Sequence, residues 1–259
     1  MCQRKDGHKM IFITGDIHAD IDIKKLSNNA FKKTKELTRN DYVVILGDFG
    51  FPFYDKEIMK KRDKMSEYNF WTRWLSEKPY TILFIDGNHD NFNFWDKQAI
   101  TEKWGGKVQH HPDIQNAYRL MRGEIYKIDG KKIFTFGGAV SIDRMYRVKD
   151  VSYWEHEEAT AEEIDYARKN LETHGNAVDY IFTHTMPSKV IKEMRYEPIP
   201  DKGAEYFNEV MNTVDYKVWC CGHFHEDKID EKHKLAMCYN SVVPIDMYEK
   251  IVNDSNIDK

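Results

Sequence analysis

The sequence predicts an α/β fold with a mixed β-sheet in a single domain. Short apolar runs alternate with longer segments of helical period along the 259 residues, which is typical of α/β proteins. A tight hairpin, predicted at Asp129 and Gly130 between two alternating runs, adds an antiparallel pair of strands. Because no repeat or low-complexity linker divides the chain, we expect one domain over residues 1–250 and a polar tail over 251–259.

Six short apolar runs predict the strands. Each run is four or five residues long and rich in β-branched or aromatic residues, as in buried strands. The predicted strands are MIFIT (10–14), YVVIL (42–46), TILFI (81–85), KIFTF (132–136), YIFT (180–183) and KVWCC (217–221).

Four segments between the strands predict helices. The first follows Asp22, the second spans 56–76, the third starts with a capping box at Thr160 and ends before Gly175, and the fourth spans 203–213. Apolar residues recur at helical spacing in these segments. The predicted inward faces are Ile23, Leu26, Ala30 and Phe31 in the first helix, Ile58, Met65, Tyr68, Trp71 and Leu75 in the second, and Ala204, Phe207, Val210 and Met211 in the fourth.

Composition and charge exclude several classes of protein. With 41% hydrophobic and 32% charged residues, the chain is too apolar to be disordered. The formal net charge of −4 gives no overall basic field, so we expect neither stable nucleic-acid binding nor attachment to an anionic membrane. No apolar run approaches the roughly 20 residues that span a bilayer.

The cysteines and the first residues predict a cytoplasmic location. Cys220 and Cys221 are adjacent within an apolar run, which is a poor arrangement for a disulfide framework that would also use Cys2 and Cys238. Residues 1–14 contain only a short apolar run, and no small-residue cleavage site follows it. We therefore expect free or buried thiols in a reducing compartment.

Polar side chains follow five of the predicted strands at the point where each strand ends. Four strands run into a glycine and then into polar residues, in ITGDIH, ILGDFG, IDGNHD and CCGHFH, and a fifth ends directly in His184. Glycine permits a sharp turn or a close approach of the backbone to a ligand. Crossover connections collect strand ends along one edge of a sheet, where α/β proteins place their sites. We therefore expect these polar side chains to converge.

The convergent side chains form a set of metal donors. The set comprises two carboxylates, one amide and four imidazoles: Asp16, His18, Asp48, Asn88, His184, His223 and His225. Such a set suits manganese, iron, zinc or nickel better than calcium or a thiolate zinc site. Seven donors exceed the need of one metal with an open position, so the sequence predicts two divalent ions, with Mn²⁺ preferred. Two ions about 3.5–4 Å apart could hold a bridging hydroxide and clamp the oxygens of a displacement at phosphorus.

Each of these residues also has a simpler interpretation when taken alone. A single aspartate after a strand is more often a helix cap or turn residue, and His184 alone would be assigned a structural role. His223 and His225 could include a solvated surface histidine. Coincidence would have to place every ligand type after its own strand, so the joint pattern favours the metal site.

The ordered motifs GDIH, GD, GNHD, His184 and GHFH, spread over residues 15–225, resemble those of the calcineurin-like metallophosphoesterase superfamily. The resemblance implies a four-layer sandwich of two mixed β-sheets flanked by helices. It also implies a phosphoesterase that uses a metal-bridging hydroxide as nucleophile. The implied roles are one metal on Asp16, His18 and His225, a second on Asn88, His184 and His223, a bridge through Asp48, and His89 as the acid that protonates the leaving oxygen or stabilises its charge.

The residues after the second strand separate branches of this superfamily. Its serine/threonine protein phosphatases carry GDxVDRG and GNHE, whereas this sequence has GDFGFP and GNHD, with Phe51 in place of the aspartate that supports the acid histidine. A protein phosphatase is therefore not favoured. GNHD is shared with the phosphodiesterase and nuclease branches, so a phosphodiester, with nucleotides among the candidates, is the preferred substrate.

Two other functions and several residue roles stay open from the sequence. A nuclease of the same superfamily would bind single strands with a steep salt dependence, and a non-catalytic scaffold would hold no metal. Arg144 and Arg147 could contact phosphate, and Tyr146 or Trp154 could stack on a base. The sequence assigns no substrate-binding residue and no oligomeric state.

Overall fold

Two β-sheets packed face to face form the centre of the molecule in the computed structural model, which describes residues 9–197 and 199–254. The strands of the described chain are β1 (Ile11–Thr14), β2 (Tyr42–Leu46), β3 (Thr81–Ile85), β4 (Ile100–Lys103), β5 (Gly106–His110), β6 (Ala117–Leu120), β7 (Glu124–Ile128), β8 (Lys131–Phe136), β9 (Tyr180–Thr183), β10 (Val218–Cys221), β11 (Lys228–Asp230), β12 (Leu235–Met237) and β13 (Val243–Pro244). The α-helices are α1 (Lys56–Lys61), α2 (Met65–Ser76), α3 (Phe92–Trp95), α4 (Ala161–Thr173), α5 (Ser188–Glu193), α6 (Lys202–Thr213) and α7 (Ile245–Asp254). All six predicted strands are present, with bounds within one residue of those predicted.

Both sheets are mixed. The first has the order β13-β1-β2-β3-β6-β5-β4 and the second β11-β12-β10-β9-β8-β7. Strands β1, β2 and β3 pair in parallel in the first sheet, and β8, β9 and β10 do so in the second. The predicted hairpin joins β7 and β8, and its turn residues Asp129 and Gly130 both have positive φ.

Three layers of apolar side chains hold the elements together as a helix–sheet–sheet–helix sandwich. Alternate residues such as Ile13, Val44 and Phe182 fill the space between the sheets, because successive side chains of a strand point to opposite faces. The opposite face of the first sheet packs against α1 and α2, and that of the second packs against α4, α5 and α6. The predicted four-layer, single-domain α/β fold is thus confirmed.

The first predicted helix is wrong. Two 3-10 turns, Ile23–Leu26 and Lys32–Glu36, stand in its place, and the Ser27 hydroxyl accepts a hydrogen bond from the backbone N–H of Ala30. Serine and the asparagines that follow it compete for backbone hydrogen bonds and so disfavour a continuous helix. Of the predicted apolar face, Ala30 is exposed, whereas the other three side chains are buried.

The second predicted helix is divided into α1 and α2. Asp63, between them, has a φ of 54°, a left-handed conformation that aspartate tolerates better than most residues and that an α-helix does not contain. The third and fourth helices were predicted correctly as α4 and α6, and the Thr160–Glu163 capping box is present.

Helix α7 packs along the space between the two sheets, with Tyr248 and Val252 buried. The predicted boundary at residue 250 falls within this helix, and residues 255–259 of the predicted tail lie outside the described residues. Among the described helices, none is long and apolar enough to span a bilayer.

Candidate metal centre

The carboxyl ends of the parallel strands of both sheets meet at one edge of the sandwich and carry every predicted site residue. The residues lie in the turns after their strands: Asp16 and His18 after β1, Asp48 after β2, Asn88 and His89 after β3, His184 after β9, and His223 and His225 after β10. Three overlapping sets have donor atoms within 4.8 Å of one another: Asp16, His18 and His225; His18, Asp48 and His89; and Asp16, Asp48 and His184. Asn88 and His223 join them through contacts with His184. The structure therefore brings all seven predicted ligands and His89 together.

Asp48 is buried at the centre of the cluster. Its Oδ2 lies 3.2 Å from Nε2 of His18, and its Oδ1 lies 3.5 Å from Nε2 of His184. Oδ1 also accepts a hydrogen bond of 2.7 Å from the backbone N–H of His89. Because His18 and His184 belong to different predicted metal sites, this carboxylate reaches both.

His18 is oriented by Asp22, a contact that the sequence interpretation did not include. Nδ1 of His18 lies 2.9 Å from Oδ2 of Asp22, and the imidazole faces His225 edge-on with 4.9 Å between ring centres. A carboxylate at one ring nitrogen fixes the proton there and leaves the other nitrogen to face the site, the arrangement typical of metal-binding histidines. Nε2 of His18 thus points towards Asp48.

His184 is oriented in the same way by a backbone carbonyl. Its Nδ1 lies 2.8 Å from the carbonyl oxygen of Leu46, an acceptor, so Nδ1 carries the proton. Nε2 then faces Oδ1 of Asn88 at 3.0 Å and Nδ1 of His223 at 3.2 Å. Lone pairs that converge in this way are suited to a shared cation.

The side-chain amide of Asn88 is oriented by a buried relay. Nδ2 of Asn88 donates to the Ser141 hydroxyl at 3.0 Å, and that hydroxyl donates to Oε2 of Glu157 at 3.0 Å. Arg144 donates to Oε1 of Glu157 from Nε and Nη2, at 3.0 and 2.8 Å. Since a carboxylate only accepts, the relay has one direction, and it turns Oδ1 of Asn88 towards His184.

Removing the charge at the end of this relay is expected to weaken metal binding. Glu157→Gln replaces an acceptor with an amide that can donate to Ser141 and so reverse the relay. We expect the affinity for the more weakly held metal to fall by about 10–100-fold, the usual loss when a group that orients a ligand is altered. Isothermal titration of the metal-free protein with Mn²⁺ measures this. Glu158→Gln is the matched control, and equal affinities in the two variants would contradict the relay.

The buried carboxylates and shifted pKa values of the cluster favour the binding of cations. Burial raises the pKa of Asp16 to about 7. Burial would also raise the pKa of Asp48, but the neighbouring His184 and His18 hold it well below its ordinary value. The desolvation of His18 is outweighed by hydrogen bonds to Asp48 and Asp22, which raise its pKa to about 9. Protons at these sites supply positive charge that two buried carboxylates require, and divalent ions would supply it instead.

The backbone of the cluster is strained in a way that is common at functional sites. His18, Asp48, His223 and His225 all have φ between 48° and 68°, the left-handed region that side chains disfavour. Gly47 also has positive φ, and a Cβ there would overlap the His184 imidazole. The left-handed backbone at these four residues and the close approach of Gly47 to His184 bring the side chains of the cluster together.

A comparison with protein families agrees with this geometry. The family model for calcineurin-like phosphoesterases matches residues 9–227 of the chain. The chain belongs to the calcineurin-like phosphoesterase family. The resemblance predicted from the motifs is therefore confirmed, and the family acts on phosphate esters.

The solved structures to which this chain is similar include two larger proteins. One is described as a putative 5′-nucleotidase from Staphylococcus aureus in complex with alpha-ketoglutarate, with 10% identity, a TM-score of 0.48, and coverage of 96% of this chain and 58% of that chain. Another is the sulfate thiohydrolase SoxB from Thermus thermophilus in complex with glycerol, with 8% identity, a TM-score of 0.41, and coverage of 100% and 62%. This chain thus corresponds to less than two thirds of either protein. A search of the curated proteins found no match.

His89, the predicted acid, is paired with Arg147. Nη1 of Arg147 lies 2.8 Å from Nδ1 of His89, and Nη2 lies 3.2 Å from Nε2. Burial, together with the charge of Arg147, lowers the pKa of His89 to about 4 although Asp48 opposes the shift. A guanidinium only donates, so one of the two ring nitrogens that it contacts accepts and the imidazole is neutral. Asp143 and the Ser152 carbonyl hold the other side of Arg147.

Two of the aromatic and basic residues singled out in the loop after β8 have other roles. Trp154 is 1% exposed and packs against Phe53, so it is not available to stack on a base. Arg144 forms an ion pair with the buried carboxylate of Glu157. Tyr146 is 85% exposed. Asp22, Ser141 and Glu157 were not predicted as site residues, and of these only Asp22, four residues after His18, has a position that sequence spacing could have indicated.

Proposed function

We propose that the protein is a phosphodiesterase that depends on two divalent metal ions. The observation that carries the proposal is the position of Asp48, whose two carboxylate oxygens face one histidine from each predicted metal site. One metal would be held by Asp16, His18 and His225, and the other by Asn88, His184 and His223, with Asp48 shared between them. Mn²⁺ is our first choice because the donors are oxygen and imidazole nitrogen without thiolate.

The metals would supply Lewis acidity and a water of lowered pKa when bound. The protein supplies the orientation. Asp22 and the Leu46 carbonyl fix the tautomers of His18 and His184, and the Glu157 relay fixes Asn88. Donors held in this way need little rearrangement when substrate binds, which favours catalysis.

His89 and Arg147 are the groups that we assign to the leaving oxygen. A neutral imidazole accepts from Arg147 at one ring nitrogen and carries a proton on the other, and this N–H can donate a hydrogen bond to that oxygen. The guanidinium beside it stabilises negative charge that develops there. His89 therefore acts in this proposal by stabilising the charge of the leaving oxygen through a hydrogen bond, and burial together with Arg147 keeps its imidazole neutral.

The preference for a diester is supported by charge as well as by GNHD. The single guanidinium that contacts His89 matches the one negative charge of a phosphodiester, whereas a monoester carries up to two. Nucleotides are the substrate class that we place first, on the evidence of the cavity described below.

A screen of metals against substrates tests the proposal directly. The metal-free protein should hydrolyse no phosphoester, and Mn²⁺ at about two ions per chain should restore hydrolysis of bis(p-nitrophenyl) phosphate, with less activity on p-nitrophenyl phosphate. Chelation should abolish the activity and fresh metal should restore it. Failure of the metal-loaded protein on aryl diesters, aryl monoesters, cyclic nucleotides and oligonucleotides alike would overturn the function and favour a scaffold. A preference for oligonucleotides would favour the nuclease.

We also propose a cytoplasmic location. Cys220, Cys221 and Cys238 are buried free thiols. Burial raises the pKa of Cys220 and Cys221, so they stay as unreactive thiols.

A further inference from the structure

A cavity of about 460 Å³ opens beside the metal centre, between the turn after β2 and the face of α2. His18 and His89 lie in its wall, so the cavity is continuous with the catalytic edge of the sandwich. His89 is the group assigned to the leaving oxygen. The space next to His89 is therefore where the leaving alcohol of a substrate would extend.

The chemistry of the cavity wall is aromatic and apolar. Phe53, Trp71 and Met59 line it, and Phe53 lies 6.3 Å from the His89 ring between centroids. The volume is within the range of small-molecule sites and exceeds what a methyl or ethyl group would fill. Aromatic walls of this kind bind flat rings by stacking, which does not require a specific hydrogen-bond pattern.

Besides the two histidines, the charged residues that line the cavity are two acidic residues and one paired lysine. Asp20 and Glu67 share a hydrogen bond, and Lys64 lies 2.6 Å from Oε2 of Glu67. Lys64 is already paired with Glu67, and the hydrogen bond between the two carboxyl groups requires a proton on one of them, so these residues offer no free positive charge to a further phosphate group. The carboxyl oxygens are also acceptors for amino groups. The cavity therefore suits an uncharged ring that carries an amino group better than an anionic chain.

We propose that this cavity binds the nucleobase of a nucleoside that leaves from the phosphodiester, an amino-bearing base such as adenine in particular. The proposal rests on the phosphodiesterase function proposed above and narrows its substrates to nucleotide diesters. Trp71 provides the principal stacking surface.

Binding of the leaving nucleoside tests the cavity without any need for turnover. Equilibrium dialysis of Mn²⁺-loaded protein with labelled deoxyadenosine, and with 1,2-dideoxyribose as the sugar that lacks a base, measures the contribution of the ring. We expect deoxyadenosine to bind at least about tenfold more tightly than the sugar, given the usual contribution of base stacking. Trp71→Ala should remove this difference.

Trp74→Ala is the matched control, because Trp74 is one turn along the same helix and is also half-buried. It contacts Trp71 edge-on at 5.4 Å but lines a separate cavity with Lys78. We expect this variant to retain the preference for deoxyadenosine. Equal losses in the two variants would overturn the assignment, since they would show a general effect on α2.

The experiments distinguish an incorrect assignment of the cavity from an incorrect assignment of the phosphodiesterase function. Hydrolysis of bis(p-nitrophenyl) phosphate without discrimination between deoxyadenosine and the sugar would overturn the cavity assignment and leave the phosphodiesterase standing. Discrimination that depends on Trp71, in a protein that hydrolyses no phosphoester, would support a nucleobase site and overturn the phosphodiesterase.

Discussion

Asp48→Asn is expected to reduce kcat/KM for bis(p-nitrophenyl) phosphate by at least about 10³-fold, since Lewis-acid stabilisation by metals contributes several kcal/mol to phosphoryl transfer. The metal content should fall from about two ions per chain to one or fewer. The reason is the position of the carboxylate, whose oxygens lie 3.2 Å from His18 and 3.5 Å from His184. A neutral amide offers one oxygen instead of two and does not compensate cationic charge.

The substitution is designed to leave the turn after β2 in place. Asparagine has the same shape as aspartate, and its oxygen can still accept the hydrogen bond from the backbone N–H of His89. Asp165→Asn is the control, because Asp165 lies exposed on α4 and pairs with Arg168. Metal content by elemental analysis and kcat/KM should both be unchanged there. Two ions per chain together with full activity in Asp48→Asn would exclude the bridging role.

The sequence predicted the central strands and the convergence of the polar side chains that follow them, because both depend on local features. Strands such as β2 and β3 are buried on both faces, so their residues form continuous apolar runs. Each predicted donor directly follows such a strand, and the parallel pairing of the strands then brings the donors together. The position of a polar residue directly after a parallel strand therefore determines where its side chain lies in the fold.

Elements that lack an apolar run were not predicted. Strand β4 is exposed along its whole length, and its residues ITEK carry no pattern of burial. The extended conformation of β4 depends on its antiparallel pairing with β5. The relay behind Asn88 could not be predicted either, since Ser141 and Glu157 come from the long loop between β8 and α4 and meet only in the folded chain.

Asp86 lies inside a predicted motif, but its contacts could not be predicted from the sequence. The motif IDGNHD predicted roles for Asn88 and His89. Asp86, in the same motif, is a buried carboxylate that binds two arginines from elsewhere in the chain. Its Oδ1 accepts from Arg119 at 2.8 Å, and its Oδ2 accepts from Arg122 at 2.8 Å. Its backbone carbonyl also accepts from Gly138, which ties the end of β3 to the loop that contains Ser141.

Asp86→Asn is expected to lower the free energy of unfolding by about 3–5 kcal/mol, the usual cost of leaving a buried charge without its partner. Arg119 and Arg122 are 6% and 3% exposed, so solvent cannot replace the carboxylate. Urea denaturation at pH 7 measures the loss. Asp165→Asn, which breaks an exposed ion pair, should change stability by less than about 1 kcal/mol.

The effect should also depend on pH. Burial alone would raise the pKa of Asp86, but the guanidinium groups of Arg119 and Arg122 hold it below its ordinary value. A carboxyl group whose pKa is lower in the folded state stabilises the fold above the unfolded-state pKa of about 3.9 and loses this effect as the pH falls further. The difference in stability between wild type and Asp86→Asn should therefore be constant from pH 8 to about pH 5 and should decrease below about pH 4.

A triple variant distinguishes an unpaired charge from a simple loss of packing. Replacing Asp86, Arg119 and Arg122 together by apolar residues of similar size removes every charge of the cluster except that of Glu163, which Arg122 contacts at the edge. If the loss in Asp86→Asn arises from guanidinium charge that Asp86 no longer balances, the triple variant should recover part of it, because buried ion pairs are often replaced by apolar residues at little cost. A triple variant less stable than Asp86→Asn would show instead that the hydrogen bonds themselves hold the end of β3.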